Sequence, residues 1–355
     1  MRLVFVTQVL DADDANLGAT VAMLRALAAR CDELVVLCGR VGAHDLPPSC
    51  RVETFGAPTR TGRGLRYAAA LRRALHPRPD ALLAHMCPIY LVLAAPLARP
   101  ARVPLLLWYT HWSVTATLRL ADRLADAVLS VERRSYPLPS SRVHAIGHGI
   151  DTRQFAPGAT GGRDGEPLAL LALGRTSPSK GLVTLLHGLG LARRAGVSAR
   201  LELRGPSLTG EERRHREELT RLVSSLALDG AAHLEAPLPR SRVPELLRGA
   251  DALVNAHAGR DGGGALDKVV YESAACAVPV LACNPAFDAL LADLPVELRF
   301  RSGDPESFAR VLGGLAAGGP ELRAAAGREL RRRVEAGHSV DTWAGGVLRV
   351  VSEVA

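Results

Sequence analysis

Residues 168–182 have the sequence LALLALGRTSPSKGL, an apolar run followed by a glycine, a short polar loop and a second glycine. An uninterrupted apolar run bounded by turn residues is typical of a buried strand in a parallel sheet. The loop then leads into the start of a helix, where free backbone N–H groups and the positive end of the dipole favour an anion. The segment therefore predicts a strand, loop and helix unit whose loop binds phosphate.

Lysine is rare in this chain, and its two lysines lie in segments suited to a nucleotide. Only Lys180 and Lys268 are lysine, although lysine and arginine together number 44. Lysine is a compact, flexible charge and arginine a rigid planar fork, so they are not interchangeable where a phosphate is met in tight space. We expect both lysines, with Arg175, to contact an anionic ligand; the alternative is that two surface lysines persist by chance.

The order of short apolar runs and helical stretches predicts βαβ units and parallel sheets. We predict strands at 3–9, 34–37, 81–84, 105–109, 127–130, 168–173, 199–203, 233–235, 252–255 and 278–282. The length of 355 residues favours two domains, and 157–165 has the composition of a linker. We therefore expect two Rossmann-like, doubly wound α/β domains, 1–157 and 166–338, facing each other across a cleft that holds the ligand. A last helix in 339–355 is expected to pack toward the first domain.

The composition of the chain limits the kinds of partner and the cellular compartment that we expect. The net charge of +8 suggests an anionic partner, and the low aromatic content of 4% argues against base-stacking platforms for nucleic acid. The six cysteines have no metal-ligand spacing, which favours a reducing compartment. No signal peptide and no apolar span of roughly 20 residues is evident, so we expect a cytoplasmic location. The sequence leaves the oligomeric state open.

The densest basic stretch surrounds a helical segment at 65–75, with Arg60, Arg63, Arg66, Arg72, Arg73 and Arg78. Such a helix could lie on a lipid surface. We favour a solvated helix face instead, because this helix lacks the large aromatic and leucine face of a membrane binder. Peripheral membrane contact is thus an alternative that the sequence does not favour.

A second segment, 255–280, has the sequence NAHAGRDGGGALDKVVYESAACAVPV, which predicts a strand, a glycine loop and a helix. The loop glycines let backbone amides approach a ligand closely. Asp267 and Lys268 fall in the first turn of the helix and Glu272 about one turn later. A carboxylate at Glu272 is suited to accept hydrogen bonds from a vicinal diol such as ribose.

Together these segments resemble the nucleotide-sugar half of retaining glycosyltransferases of family 4, which have the GT-B fold. The resemblance is carried by Gly174-Arg175, Lys180-Gly181 and the glycine loop leading to ESAACAVPV at 272–280. Residues 148–157, HGIDTRQFAP, are similar to that family's interdomain signature. The resemblance covers nearly the whole chain and is looser in the first domain.

The resemblance implies roles for individual residues. Arg175 and Lys180 would hold the donor diphosphate and stabilise the leaving group, and Glu272 would hold the ribose hydroxyls. His111 matches a cleft histidine near the reacting carbon, and Gly18 matches a glycine turn near the phosphates. The donor site as a whole would comprise Gly18, Gly174, Arg175, Lys180, Gly263, Gly264, Ala265, Asp267, Lys268 and Glu272.

One position departs from the family pattern. The family has a second glutamate eight positions before the equivalent of Glu272, where it touches the transferred sugar, and here that position is Gly264. Asp261 or Asp267, or the amides of the glycine loop, are the candidates to replace it.

The implied reaction moves a sugar from a UDP-hexose or UDP-N-acetylhexosamine to a small acceptor, with retention of configuration. It would serve bacterial natural-product or cell-envelope glycoconjugate biosynthesis, and the resemblance implies neither a metal nor another cofactor. Two alternatives stay open: a GT-B sugar-nucleotide epimerase or pseudo-transferase, and a non-catalytic protein that binds a nucleotide sugar.

Overall fold

The computed structural model describes residues 1–14, 16–158, 166–257 and 266–355, and the chain divides into two units. Unit 1 consists of Met1–Asp151 and Ala336–Ala355, and unit 2 of Thr152–Glu335. No helix among these residues combines the length and apolar content needed to cross a membrane.

Unit 1 is built on a parallel sheet. Its elements up to residue 151 are β1 (Arg2–Leu10), α1 (Ala19–Ala28), β2 (Glu33–Val41), β3 (Cys50–Thr54), α2 (Arg60–Ala74), β4 (Ala81–His85), α3 (Pro88–Ala98), β5 (Leu105–Trp108), α4 (Ala116–Leu124), β6 (Ala127–Ser130) and β7 (Val143–Ala145). The strand order is β3-β2-β1-β4-β5-β6-β7. In β1, an interior strand of this sheet, Val4, Phe5 and Val6 are fully buried, as expected of a strand covered on both faces.

Unit 2 repeats the same architecture. Its elements are β8 (Leu168–Leu173), α5 (Leu182–Arg194), β9 (Ala199–Arg204), α6 (Gly210–Ser225), β10 (Ala232–Glu235), α7 (Val243–Arg248), β11 (Ala252–Asn255), α8 (Lys268–Ala275), β12 (Val280–Ala282), α9 (Asp288–Leu291), α10 (Pro305–Ala317) and most of α11 (Gly319–Gly337). The parallel strands lie in the order β10-β9-β8-β11-β12. The order reverses beside β8, the place where open sheets of this kind bind ligands.

The helices of unit 1 cover both faces of its sheet. Helices α2, α3 and α4 share one core with alternate residues of β1, β2, β4 and β5. Helix α1 packs with the last helix, α12 (Val340–Val354). Trp343 of α12 meets Trp108 edge to face, with ring centroids 5.6 Å apart.

The ends of the predicted domains differ from the division in the structure. The prediction ends the first domain at 157, but Arg331 donates to the carbonyl oxygen of Phe155 (3.2 Å) and ties this segment to unit 2. The prediction ends the second domain at 338, but Ile150 N donates to the carbonyl oxygen of His338 (2.7 Å), which ties that turn to unit 1. Most of the linker, 159–165, lies outside the described residues.

The predicted strands all occur, three of them with the predicted bounds and seven with shifted ends, and the prediction missed β3 and β7. Strand β3 lies at the sheet edge with Arg51 and Glu53 exposed or half-buried, and β7 has only three residues. Neither strand produces an apolar run, because an edge strand is not covered on both sides. The strand predicted at 278–282 begins at Val280.

Candidate functional site

The loop after β8 is shaped by two glycines. Gly181 has φ +63°, the left-handed region that favours glycine, and a Cβ there would lie 2.5 Å from the carbonyl oxygen of Ala256. A Cβ on Gly205, after β9, would lie 1.9 Å from the carbonyl oxygen of Gly174. The segments that follow β8, β9 and β11 therefore come so close together that only glycine fits at positions 181 and 205.

These strand ends line a pocket. Gly174, Arg175, Lys180, Arg204 and Asn255 are among its lining residues. The predicted phosphate loop therefore borders an open space at the carboxyl edge of the sheet, as the topology requires.

Arg175 lies beside a buried carboxylate. Its Nη1 is 3.3 Å from Oε1 of Glu212, and the arginine side chain is 52% exposed while the glutamate is 5% exposed. Glu212 is held in place by a capping box with Thr209 at the start of α6. Arg175 is thus anchored at one end and open to solvent at the other.

Lys180 is held by Asp267. Its Nζ donates to Oδ1 and Oδ2 of Asp267, at 2.8 and 2.7 Å. Asn255 Nδ2 donates to Oδ2 of the same carboxylate at 2.9 Å, and His257 Nδ1 lies 3.2 Å from it. The two segments that the sequence analysis singled out therefore meet in one hydrogen-bonded cluster, formed by Lys180, Asn255, His257 and Asp267.

The cluster keeps Asp267 ionised. Burial alone would raise the pKa of this carboxyl, but the hydrogen bond from His257 and the charge of Lys180 hold the pKa well below its usual range. His257 Nδ1 also lies 3.4 Å from Nζ of Lys180, so it donates to Asp267 when it carries the proton and accepts from Lys180 when it does not.

Helix α8 begins at Lys268 and carries Glu272 one turn later. Burial, partly opposed by the charge of Glu272, lowers the pKa of Lys268 to about 8. Glu272 is 4% exposed and its Oε1 accepts a hydrogen bond of 2.6 Å from Nη2 of Arg240. The guanidinium of Arg240 lies 5.5 Å from the ring centroid of Phe155.

Arg240 is a site residue that the sequence does not predict. It lies in a short 3-10 helix, Arg240–Arg242, in the loop after β10. Nothing in the segment LPRSR, 238–242, distinguishes this arginine from the many others in the chain.

Two predicted site residues belong to unit 1. His111 is exposed, stacks on Trp112 with ring centroids 5.1 Å apart, and accepts at Nδ1 a hydrogen bond of 3.1 Å from the backbone N of Ser113. Its neutral form therefore carries the proton on Nε2, and partial desolvation of the ring lowers its pKa. Gly18 precedes α1 with φ −55°, a conformation that other residues also adopt.

Gly263, Gly264 and Ala265 lie outside the described residues, and so does Asp261. Asp267, the other candidate to replace the missing glutamate, is described, and Lys180, Asn255 and His257 contact its two oxygens.

The sequence and the fold are similar to known proteins. Residues 191–349 match the family model described as "Glycosyl transferase-like". D-inositol 3-phosphate glycosyltransferase 1 of Catenulispora acidiphila is 29% identical over 189 residues, or 47% of this chain. The match spans 42% of the length of that curated relative.

Two solved structures cover almost all of this chain. Alr3699/HepE of Anabaena, in complex with UDP and glucose, is 17% identical with a TM-score of 0.74 over 99% of this chain and 100% of that chain. Sucrose-phosphate synthase (tll1590) of Thermosynechococcus elongatus is 15% identical with a TM-score of 0.75 over 100% of both chains. The fold of this chain is therefore that of GT-B proteins, two Rossmann-like α/β domains.

Proposed function

We propose that this protein is a retaining glycosyltransferase of family 4 that uses a UDP-hexose or UDP-N-acetylhexosamine as donor. The observation that carries the proposal is the cluster of Lys180 and Asp267 beside the first turn of α8, at the carboxyl edge of the unit 2 sheet. The family match over 191–349 and the UDP bound by the Anabaena protein support the same function.

Lys180 suits the leaving diphosphate. An ammonium has three N–H donors, and two of them are directed to Asp267. His257 Nδ1 lies 3.4 Å from Nζ; in the tautomer that donates to Asp267 it does not accept the third N–H, which is then left for a phosphate oxygen. Because the ammonium is fixed before the donor arrives, it stabilises the charge that develops on the diphosphate without reorganisation.

The first turn of α8 extends the diphosphate site. Lys268 is half-buried at the helix start, where backbone N–H groups and the dipole also favour an anion. Arg175 adds a half-exposed charge on the other side of the phosphate loop. We assign these three cations to the diphosphate.

Glu272 is the proposed ribose ligand. Arg240 holds Oε1, and among the described residues no other side chain donates to this carboxylate. Oε2 is thus available to a ribose hydroxyl.

In the proposed reaction an acceptor oxygen forms a bond to the anomeric carbon while the bond from that carbon to the UDP oxygen breaks. The departing phosphate takes the acceptor proton. His111 would contribute a neutral Nε2–H donor for a sugar hydroxyl. In this proposal the reaction uses neither a metal ion nor another cofactor.

The test is an assay of UDP release and product formation. The purified protein is given UDP-glucose, UDP-N-acetylglucosamine or GDP-mannose with small acceptors of natural-product and cell-envelope pathways. Inositol 3-phosphate is included because the curated relative is named for it. We expect one donor to yield a glycoside with retained anomeric configuration, and Lys180→Ala to lower turnover about a hundredfold.

Other outcomes separate the alternatives. Conversion of the donor sugar without any acceptor would identify an epimerase. Donor binding without turnover across the whole panel would identify a non-catalytic binding protein.

A further inference from the structure

Helix α3 is apolar on all sides. Its sequence, PIYLVLAAPLA, contains no charged residue. A helix of this composition is normally buried all round or in contact with a membrane. Here Tyr90, Leu91 and Ala94 face the core, but Ile89 is 41% exposed and Leu93, one turn later, is 43% exposed. The outer face of α3 is therefore an apolar stripe in contact with solvent.

The neighbouring helices widen this stripe. Helix α3 packs between α2 and α4, and Tyr67 Oη of α2 donates to the carbonyl oxygen of Tyr90 at 2.8 Å. Most of the exposed large hydrophobic side chains among the described residues lie in this layer and in the loop before α4. We call them the α2–α4 surface: Leu65, Ile89, Leu93, Trp112, Val114 and Leu120.

Arginines border the α2–α4 surface. Helix α2 has no acidic residue, and the one acid of α4, Asp122, accepts a hydrogen bond of 3.1 Å from Tyr136 Oη. Arg60 and Arg119 have no carboxylate partner among the described residues. The exposed arginines of the two helices are Arg60, Arg63, Arg66, Arg72, Arg73, Arg119 and Arg123, of which Arg73 pairs with Glu53.

We propose that the α2–α4 surface docks unit 1 on an anionic lipid bilayer. The apolar stripe would enter the boundary between headgroups and acyl chains, with Trp112 at headgroup level. The arginines on both sides would meet the lipid phosphates. Considered alone, α2 lacks a large exposed apolar face, which is why the sequence favoured a solvated helix; α3 supplies that face.

The charge distribution disfavours a second copy of this chain as the occupant. A symmetric contact through the α2–α4 surface would bring two sets of arginines together, and like charges across an interface are costly. An anionic bilayer instead complements both the apolar stripe and the charge around it.

The test is co-sedimentation of the full chain with vesicles. We expect binding to vesicles of phosphatidylcholine mixed with phosphatidylglycerol, and weak binding to phosphatidylcholine alone. Added salt should weaken the binding, because the arginines contribute by attraction to the lipid charge. Binding to neither vesicle type would overturn the proposal.

Two double variants locate the surface. Ile89→Ser with Leu93→Ser removes the apolar stripe, and Val41→Ser with Leu208→Ser changes exposed apolar residues elsewhere as a control. Arg60→Ser with Arg119→Ser should reduce the partition coefficient about thirtyfold, at about 1 kcal/mol for each arginine. Its control, Arg194→Ser with Arg221→Ser, changes the net charge equally with exposed arginines of unit 2.

The results of these measurements decide whether a bilayer or a second copy of the chain binds the α2–α4 surface. Vesicle binding that persists in both surface variants, or falls equally in the controls, would overturn the assignment. Light scattering that shows a dimer of the wild type and a monomer of the Ile89→Ser, Leu93→Ser variant would assign the surface to a second copy instead. Binding of UDP and the thermal unfolding midpoint, measured in every variant, confirm that each is folded.

Discussion

Arg240 donates a hydrogen bond of 2.6 Å from Nη2 to Oε1 of Glu272, and little of either side chain is exposed. Arg240 also lies over the ring of Phe155, so its position is fixed from two sides. The pair orients the carboxylate that we assign to the ribose, which makes Arg240 a positioning residue.

Replacing Arg240 tests this role. Arg240→Ala leaves a buried carboxylate unpaired, so we expect the free energy of unfolding to fall by about 3 kcal/mol. We also expect UDP to bind about tenfold more weakly, because Glu272 loses its orientation. Isothermal titration and denaturant unfolding measure the two effects.

A nucleotide without ribose hydroxyls shows whether Arg240 acts by orienting Glu272 or only by stabilising the fold. With 2′,3′-dideoxyuridine diphosphate, Arg240→Ala should bind nearly as well as the wild type, because Glu272 then has no hydroxyl to accept from. An equal loss with UDP and with the dideoxy nucleotide would show that Arg240 has only a structural role.

The hydrogen-bonded cluster around Asp267 predicts a pH-dependent loss of stability. Its pKa is held below the ordinary value of 3.8, so its stabilising contribution is complete above that pH and is lost as the pH falls below it. Asp267→Asn should therefore lower the free energy of unfolding by about 3 kcal/mol at neutral pH. The difference from the wild type should shrink as the pH falls below 3.8; a constant difference would contradict the account.

Lys268 predicts opposite pH trends for binding and for stability. Its pKa is lowered from 10.5 to about 8, so at this residue the unfolded chain binds more protons between these values, and the contribution of Lys268 to the free energy of unfolding should rise with pH. Over the same window the folded protein loses the charge that we assign to the diphosphate, so UDP affinity should fall.

Lys268→Met is the matched control for these trends. It should bind UDP more weakly at neutral pH, and the contribution of Lys268 to each trend should be missing from it between about pH 8 and 10. Titration of UDP and chemical unfolding across this range check both. If the UDP affinity of Lys268→Met fell above pH 8 as steeply as that of the wild type, a group other than Lys268 would be the cause of the fall.

The phosphate loop depends on Gly181. Gly181→Ala combines a left-handed φ of +63° with a Cβ 2.5 Å from the carbonyl oxygen of Ala256, so we expect a loss of about 3 kcal/mol or more in the free energy of unfolding. Gly196 has φ +91° but open space around its Cβ position. Gly196→Ala should therefore cost only about 1 kcal/mol, and equal losses in the two variants would show that crowding at Ala256 is unimportant.

The sequence predicts the central strands well, because Leu168–Leu173 and Ala127–Ser130 are buried on both faces and leave an apolar run. It does not reveal β3, where the sheet edge faces solvent and charged residues alternate. Lys180 and Asp267 were both named from their local motifs, but their direct contact joins residues far apart in the chain and required the fold.

The functional roles proposed for Arg240 and α3 also could not be predicted from the sequence. One arginine among many becomes informative only when it is seen beside Glu272. The apolar sequence of α3 is compatible with a buried core helix, and only the exposure of Ile89 and Leu93 distinguishes it from one.

The most direct test of the central claim is titration of the purified protein with UDP, GDP and dTDP, beside Lys180→Ala, Glu272→Ala and the exposed control Arg194→Ala. The account predicts saturable binding of UDP that each site variant weakens by about tenfold or more, as for lost charge-assisted hydrogen bonds, with the control unchanged. Binding of none of the three nucleotides, or UDP binding equal in the wild type and both site variants, would contradict the assignment of the unit 2 edge as the donor site.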